Sequence, residues 1–223
     1  LGALAELAGR CEPGDELGWV NSSHGTRIPD RHDPTGEVAA VCPADIGDDP
    51  SPDWFGERCI THREVGEIVR ALPPGVPFHA AIDACHSGIP HTSLISARAL
   101  GDPLAPAWTP RYLAPPHGVL NPIQSSHTHR MSRDVITVDG LRSLVLAGCA
   151  PEQTSADAYL DGAHCGAFSW ALQRAARNQT STASIAELMR SASAILRLER
   201  FDQVPWLEGD SVRLKGPAPW APR

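Results

Sequence analysis

Two short segments hold side chains able to do covalent chemistry. Asn21-Ser22-Ser23-His24-Gly25 closes one apolar run, and Asp83-Ala84-Cys85-His86-Ser87-Gly88 closes another. A thiol attacks well only as thiolate, and a histidine from elsewhere in the chain can take its proton and later hand one to a leaving amine. His24 and Cys85 are therefore a candidate dyad that folding, not adjacency, would assemble. Gly25 adds backbone chemistry: with no side chain it lets a substrate approach, and its N–H with that of Cys85 can stabilise the oxyanion of acyl transfer. Asp83, two residues before the thiol, faces the same way on a strand and suits a basic side chain in a cleft, held bidentately if it is arginine.

Taken alone, a cysteine or a histidine is more often a packed core residue than a catalyst. Here both stand at strand ends with glycine close behind, and that shared placement carries the catalytic reading of a cysteine peptidase. His86 is the weaker base because neighbours on a tight turn diverge, so it reads as structural or supporting. Two other groups look chemical and are set aside. His91, His117 and the His127-x-His129 pair lie on a proline-rich stretch with no cysteine or carboxylate frame, and Asp48, Asp49 and Asp53 lack EF-hand spacing; no metal is assigned to either.

The elements that must position the dyad follow from periodicity. Leu1 to Leu7 reads as the tail of a helix, Pro13-Gly14 as a turn, and Glu16 to Asn21 as the strand that delivers His24. Thr26 to Arg58 is rich in Pro, Gly and Asp and reads as a surface excursion, with Val38 to Cys42 its ordered piece. Thr61 and Glu64 form a capping box ahead of the stripe Val65, Ile68, Val69 and Leu72, which stops at Pro73-Pro74-Gly75. Val76 to Ile82 has the length and composition of a strand buried on both faces. Two strands that present His24 and Cys85 at one carboxyl edge match the usual ligand crevice of an open parallel α/β sheet. Ile89 to Asp134 shows no pattern, Leu144 to Ala147 is a short buried strand, Gly166 to Arg177 is a helix, and the Ser184/Glu187 capping box opens another that runs to about Leu198.

Composition narrows the function. A 223-residue chain of net charge -7 has the size of one domain and no basic surplus for a phosphate backbone, so protein or peptide partners are expected rather than nucleic acid. No apolar run approaches the roughly 20 residues that span a bilayer, and Leu1 to Leu7 lacks the charged start and cleavage site of a signal peptide. Six scattered cysteines without a CxxC pair argue against a zinc ribbon or redox dithiol, and point to reduced thiols in a cytoplasmic protein. Oligomeric state is not legible.

Ser22-Ser23-His24-Gly25, Val41-Cys42-Pro43-Ala44-Asp45 and Asp83 to Gly88 resemble the catalytic domain of metacaspases and orthocaspases. Leu146 to Ala158, then Gly166-Ala167-Phe168 and Gln203 to Gly209, match the small-subunit half of that family in order and spacing. The resemblance implies a caspase-like three-layer α/β sandwich, its mostly parallel central sheet flanked by helices. It implies an endopeptidase cutting after Arg or Lys, with His24 and Cys85 as the dyad, Asp83 at the base of the first pocket and Ser22 lining it. It divides one domain, 1–223, into a large-subunit-like segment (residues 1–88), a linker loop (89–134) and a small-subunit-like segment (135–223). Self-cleavage would fall in the linker, which holds Arg98, Arg111, Arg130 and Arg133. There are departures. The family's opening strand is missing before Leu1, so the chain looks truncated; Ser23 stands where Gly is usual; and the acidic pair of calcium-dependent members is replaced by His62 and Arg63, so no cofactor is expected. The competing expectation is a caspase-like domain that binds or scaffolds without cutting.

Overall fold

The computed structural model describes residues 1–32, 36–47, 52–55, 57–85, 107–119, 143–150, 153–179, 183–209 and 211–216. At its centre is a four-stranded sheet of β1 (Leu17–Ser22), β5 (Phe78–Asp83), β7 (Leu144–Ala147) and β10 (Trp206–Gly209), in that order. β1 and β7 run parallel to β5 on either side, and β10 closes the edge antiparallel to β7. All six residues of β5 are buried, as expected of a strand covered on both faces.

Alternation along β5 sorts its side chains between two helical layers. Phe78, Ala80 and Ile82 pack with Leu4 and Ala8 of α1 (Gly2–Arg10) and with Val65 and Val69 of α2 (His62–Arg70). Ala81 faces the other way, toward Phe168 of α3 (Ala167–Asn178) and Ile185 and Met189 of α4 (Ile185–Leu198). The result is the three-layer sandwich expected from sequence. α3 and α4 also meet through Ala167, Ala171, Ala175 and Ala192, small residues that let the two helices approach closely. Both capping boxes form: the Thr61 hydroxyl accepts the Glu64 N–H at 3.3 Å and the Ser184 hydroxyl accepts that of Glu187 at 3.2 Å, with each carboxylate returning to the cap's own N–H at 2.8 Å.

Two small sheets lie beyond the central one. β2 (Gly25–Pro29), β3 (Glu37–Val41) and β4 (Ile60–Thr61) form an antiparallel set over Ile28, Val38, Ala40, Trp54, Cys59 and Val119. The stretch 26–58, read from sequence as a surface excursion, thus has a core of its own wherever it is described. β6 (Trp108–Pro110), β8 (Ala156–Leu160) and β9 (Ala163–Gly166) form the other set. This corrects the reading of 89–134 as one patternless loop: residues 108–110 are a paired strand, and Arg111 after them is buried. The run was missed because Trp-Thr-Pro has no period of its own and is ordered only by the edge of β8. α5 (Ser211–Lys215) follows β10. All six cysteines are free thiols.

Candidate active site

The candidate site forms where β1 and β5 end side by side. Ser22 and Asp83 are register partners, the Ser23 N–H donates to the Asp83 carbonyl at 3.2 Å, and the chain then turns through His24 into β2. His24 is exposed, while its carbonyl accepts the Cys42 N–H at 2.9 Å. Gly25 abuts the Cys85 backbone so tightly that a Cβ there would lie 2.7 Å from the Cys85 carbonyl carbon, and this position admits only glycine. Four of the five residues read from sequence, Ser22, His24, Gly25 and Cys85, therefore meet at this edge with Asp83 beneath them.

Asp83 is almost wholly buried, and a buried carboxylate needs donors. The Ser155 hydroxyl donates to Oδ1. The Ser169 N–H, in the first turn of α3, donates to Oδ2 at 2.8 Å, adding the positive end of a helix. The Ser169 hydroxyl bonds that of Ser22 at 3.0 Å, which ties the rim of the site to its floor. Two glycines make the room. A Cβ on Gly148 would crowd Asp83 and Ser155 at 2.9 Å each, and one on Gly166 would overlap both Asp83 and Arg111.

Arg111 is the residue that sequence reasoning named only as one of four cleavable arginines, and it fills the site. Its guanidinium stands 3.9 Å from Asp83 Oδ2, and its Nε donates to the Ser23 carbonyl at 3.1 Å. Its carbonyl oxygen accepts two N–H groups, that of Gly25 at 2.8 Å and that of Cys85 at 3.2 Å. Its own N–H donates to the Ser155 carbonyl at 2.9 Å, continuing the β6–β8 ladder by one residue. Beyond it the Leu113 N–H donates to the Gly25 carbonyl at 2.9 Å and the Thr26 hydroxyl to the Leu113 carbonyl at 2.7 Å. Residues 108–113 thus cross the site extended, paired to β8 on one side of Arg111 and to β2 on the other.

Cys85 itself is fully buried beneath this segment. Its thiol donates to the Gln153 carbonyl at 3.6 Å, and Cys149 donates to the same oxygen at 3.4 Å. The Cys149 thiol is pushed well above its ordinary pKa, chiefly by its hydrogen bond with Cys85 and by burial. Gln153 and Gln203 fix this floor. The Gln203 amide bridges the Gly148 carbonyl and the Ala156 N–H at 2.8 Å each, and Gln153 Oε1 accepts the Val204 N–H at 2.8 Å.

Of the residues set aside from sequence, Asp53 pairs with Arg58 at 3.2 Å and His117 is exposed, while His86, His91, His127, His129, Asp48 and Asp49 lie outside the described residues. No cluster of three His, Cys, Asp or Glu suited to a metal ion is present among the described residues. No described helix is long and apolar enough to cross a membrane.

Comparison with known proteins shows the chain's relatives and its fold. A family model described as the caspase domain matches residues 1–215. Metacaspase-3 of Trypanosoma brucei brucei is 28% identical over 221 residues, which cover 94% of this chain and 53% of that protein. Metacaspase-3 of Trypanosoma cruzi is 28% identical over 215 residues, covering 92% and 52%. Metacaspase-1 of Arabidopsis thaliana is 36% identical over 89 residues, 39% of this chain and 22% of that one. The chain spans about half the length of the trypanosome relatives. A crystal structure of a Geobacter sulfurreducens protein superposes with a TM-score of 0.60 over 99% of this chain and 76% of its own, at 22% identity, a likeness of fold.

Proposed function

This chain belongs to the caspase domain family, and we propose on that premise that it is a cysteine endopeptidase that cuts after arginine or lysine. The observation that carries the reading is the seating of Arg111. A basic side chain is buried against Asp83, and the carbonyl of the same residue accepts the N–H groups of Gly25 and Cys85. A bound substrate would make the same contacts: guanidinium or ammonium against Asp83 under Ser22 and Ser169, scissile carbonyl on the two N–H groups, and backbone paired to β8.

In the proposed reaction the Cys85 thiolate attacks the carbonyl carbon, and the oxygen takes the negative charge facing the Gly25 and Cys85 N–H groups. Losing one such donor typically costs about 100- to 1000-fold in rate. His24 takes the thiol proton and gives a proton to the leaving amine, and water then hydrolyses the acyl-enzyme. On this reading arginine is preferred to lysine, because a planar guanidinium beside Asp83 can also donate to the Ser23 carbonyl, as Arg111 does. Self-processing in the 89–134 stretch follows from the same seating, with the Arg111–Tyr112 peptide bond as the site.

The test is turnover of matched fluorogenic peptides ending in Arg, Lys or Asp, with and without calcium, by this chain and by Cys85→Ala. The expected result is cleavage of the Arg and Lys peptides, none of the Asp peptide, and complete loss in Cys85→Ala. Folded protein that turns over none of the three would overturn the peptidase and leave a caspase-like binding domain.

A further inference from the structure

Cys149 takes no part in the proposed reaction, yet it sits beside the nucleophile. β5 and β7 are adjacent parallel strands with Ile82 opposite Ala147, and the Gly148 N–H extends their ladder to the Ile82 carbonyl at 2.8 Å. Cys85 and Cys149 lie just past these two strand ends. Continued past the ladder, that register sets Cys149 opposite Ala84, the residue before Cys85, across a strand spacing of about 4.8 Å, and a disulfide closes over Cα separations of about 4.4–6.8 Å. The side chains converge as well: both thiols donate to the same Gln153 carbonyl oxygen, at 3.6 and 3.4 Å. The Gln153 N–H is bonded to the Ala150 carbonyl at 2.9 Å and its side-chain amide to the Asp202 carbonyl and the Val204 N–H, so the residue whose carbonyl gathers the two sulfurs is itself held.

We propose that Cys149 is the resolving partner of Cys85, and that a hydroperoxide links the two sulfurs in a disulfide that shuts the site reversibly. The reactivity of Cys85 rests on the peptidase reading; the convergence of the sulfurs does not. The Cys85 thiolate attacks the terminal oxygen of hydrogen peroxide, the O–O bond breaks, hydroxide leaves, and Cys85 becomes a sulfenic acid. The Cys149 sulfur then attacks the Cys85 sulfur, the S–O bond breaks, and the oxygen leaves as water with the Cys149 proton. Two thiols lose two electrons in all, and peroxide takes them. A dithiol reductant reverses the step by exchange. Without Cys149 the sulfenic acid is open to further peroxide and passes to the sulfinic acid, which a dithiol does not reduce. The other adjoining pair, Cys42 and Cys59, is buried where β3 ends and β4 begins; Cys42 meets the site through its backbone N–H, which donates to the His24 carbonyl at 2.9 Å, and not through its sulfur.

The experiment exposes the full chain, before and after self-processing, to hydrogen peroxide, and maps it by mass spectrometry without reduction while following Arg-peptide turnover. Expected are a linked pair of peptides carrying Cys85 and Cys149, two mass units lighter than their sum, and recovery of at least ten-fold in rate on adding dithiothreitol. Cys149→Ala is expected to lose activity to peroxide without recovery and to carry sulfinic Cys85. Absence of the linked pair, or recovery of Cys149→Ala equal to that of the parent, would overturn the proposal. The peptide map reads the link in a chain that cleaves nothing, so failure of the peptidase reading shows separately, as absence of turnover before any oxidant is added.

Discussion

Gly166 leaves the room that Asp83 and Arg111 share, and a single methyl group there tests the proposed pocket for basic side chains. The position it would occupy is already held by the Arg111 guanidinium and the Asp83 carboxylate. Gly166→Ala is expected to cut kcat/KM for Arg peptides at least ten-fold, with KM rising, while circular dichroism stays native; an unchanged kcat/KM would remove Asp83 and Gly166 from the specificity pocket. The sequence made half of this pocket readable. Asp83 and Cys85 announce themselves because a strand's alternation fixes their common face and the apolar run before them marks the strand's end. Ser155, Gly166, Ser169 and Arg111 carry no such mark. They reach Asp83 only after β6 pairs with β8 and α3 begins over the end of β5, contacts between residues far apart in the chain.

At the scale of elements, the legible ones were those with their own signals: the two capping boxes with their apolar stripes, and the buried runs of β5 and β7. β9 and β10, Ala-His-Cys-Gly and Trp-Leu-Glu-Gly, are short and lack alternation, so only a partner strand defines them. Besides Asp83, β5 carries a second polar residue, and it has a measurable consequence for stability. His79 is buried in the middle of the sheet, its Nε2 3.2 Å from Glu16 Oε2, and its Nδ1 has no hydrogen-bond partner among the described residues. Arg213 of α5 reaches the same carboxylate at 3.2 Å. Burial lowers the His79 pKa, and the Glu16 charge only partly offsets it. The unfolded chain therefore binds the proton first: His79 leaves stability untouched above its unfolded value of about 6.5 and reduces it as pH falls from there toward its lower folded value. Glu16 itself is held below the usual carboxylate range despite the opposing pull of burial, through Arg213 and His79, so its own loss comes at lower pH. Thermal melts between pH 7 and 5.5 are expected to fall less steeply for His79→Gln than for the parent, with parallel curves as the outcome that would sink the argument.

For the molecule as a whole, the self-processing proposed above would put the site and its first substrate, the segment 108–113, in one chain. That segment comes from the stretch between the halves that supply β5 and β7, and it is held by contacts on both sides of Arg111, to β8 through Trp108–Pro110 and to β2 through Leu113. A substrate tethered in this way meets its catalyst without diffusion, since the local concentration set by the tether exceeds that of any second molecule in dilute solution. Cutting at Arg111–Tyr112 is therefore expected to be intramolecular: first-order, with a half-time unchanged over a hundred-fold dilution, yielding a fragment that begins at Tyr112. Arg111→Gln should leave that bond whole, and Cys85→Ala should remain one band on a denaturing gel. External peptides reach the cleft only as the segment leaves, so Arg-peptide turnover should rise with a lag that matches the appearance of the Tyr112 end. The cut halves should still elute as one species, because the β5–β7 ladder and the packing of Phe78, Ile82 and Val145 join them across the break without any covalent help. A cutting rate proportional to chain concentration, or a new amino end at another arginine, would show that Arg111 occupies the site without being its substrate.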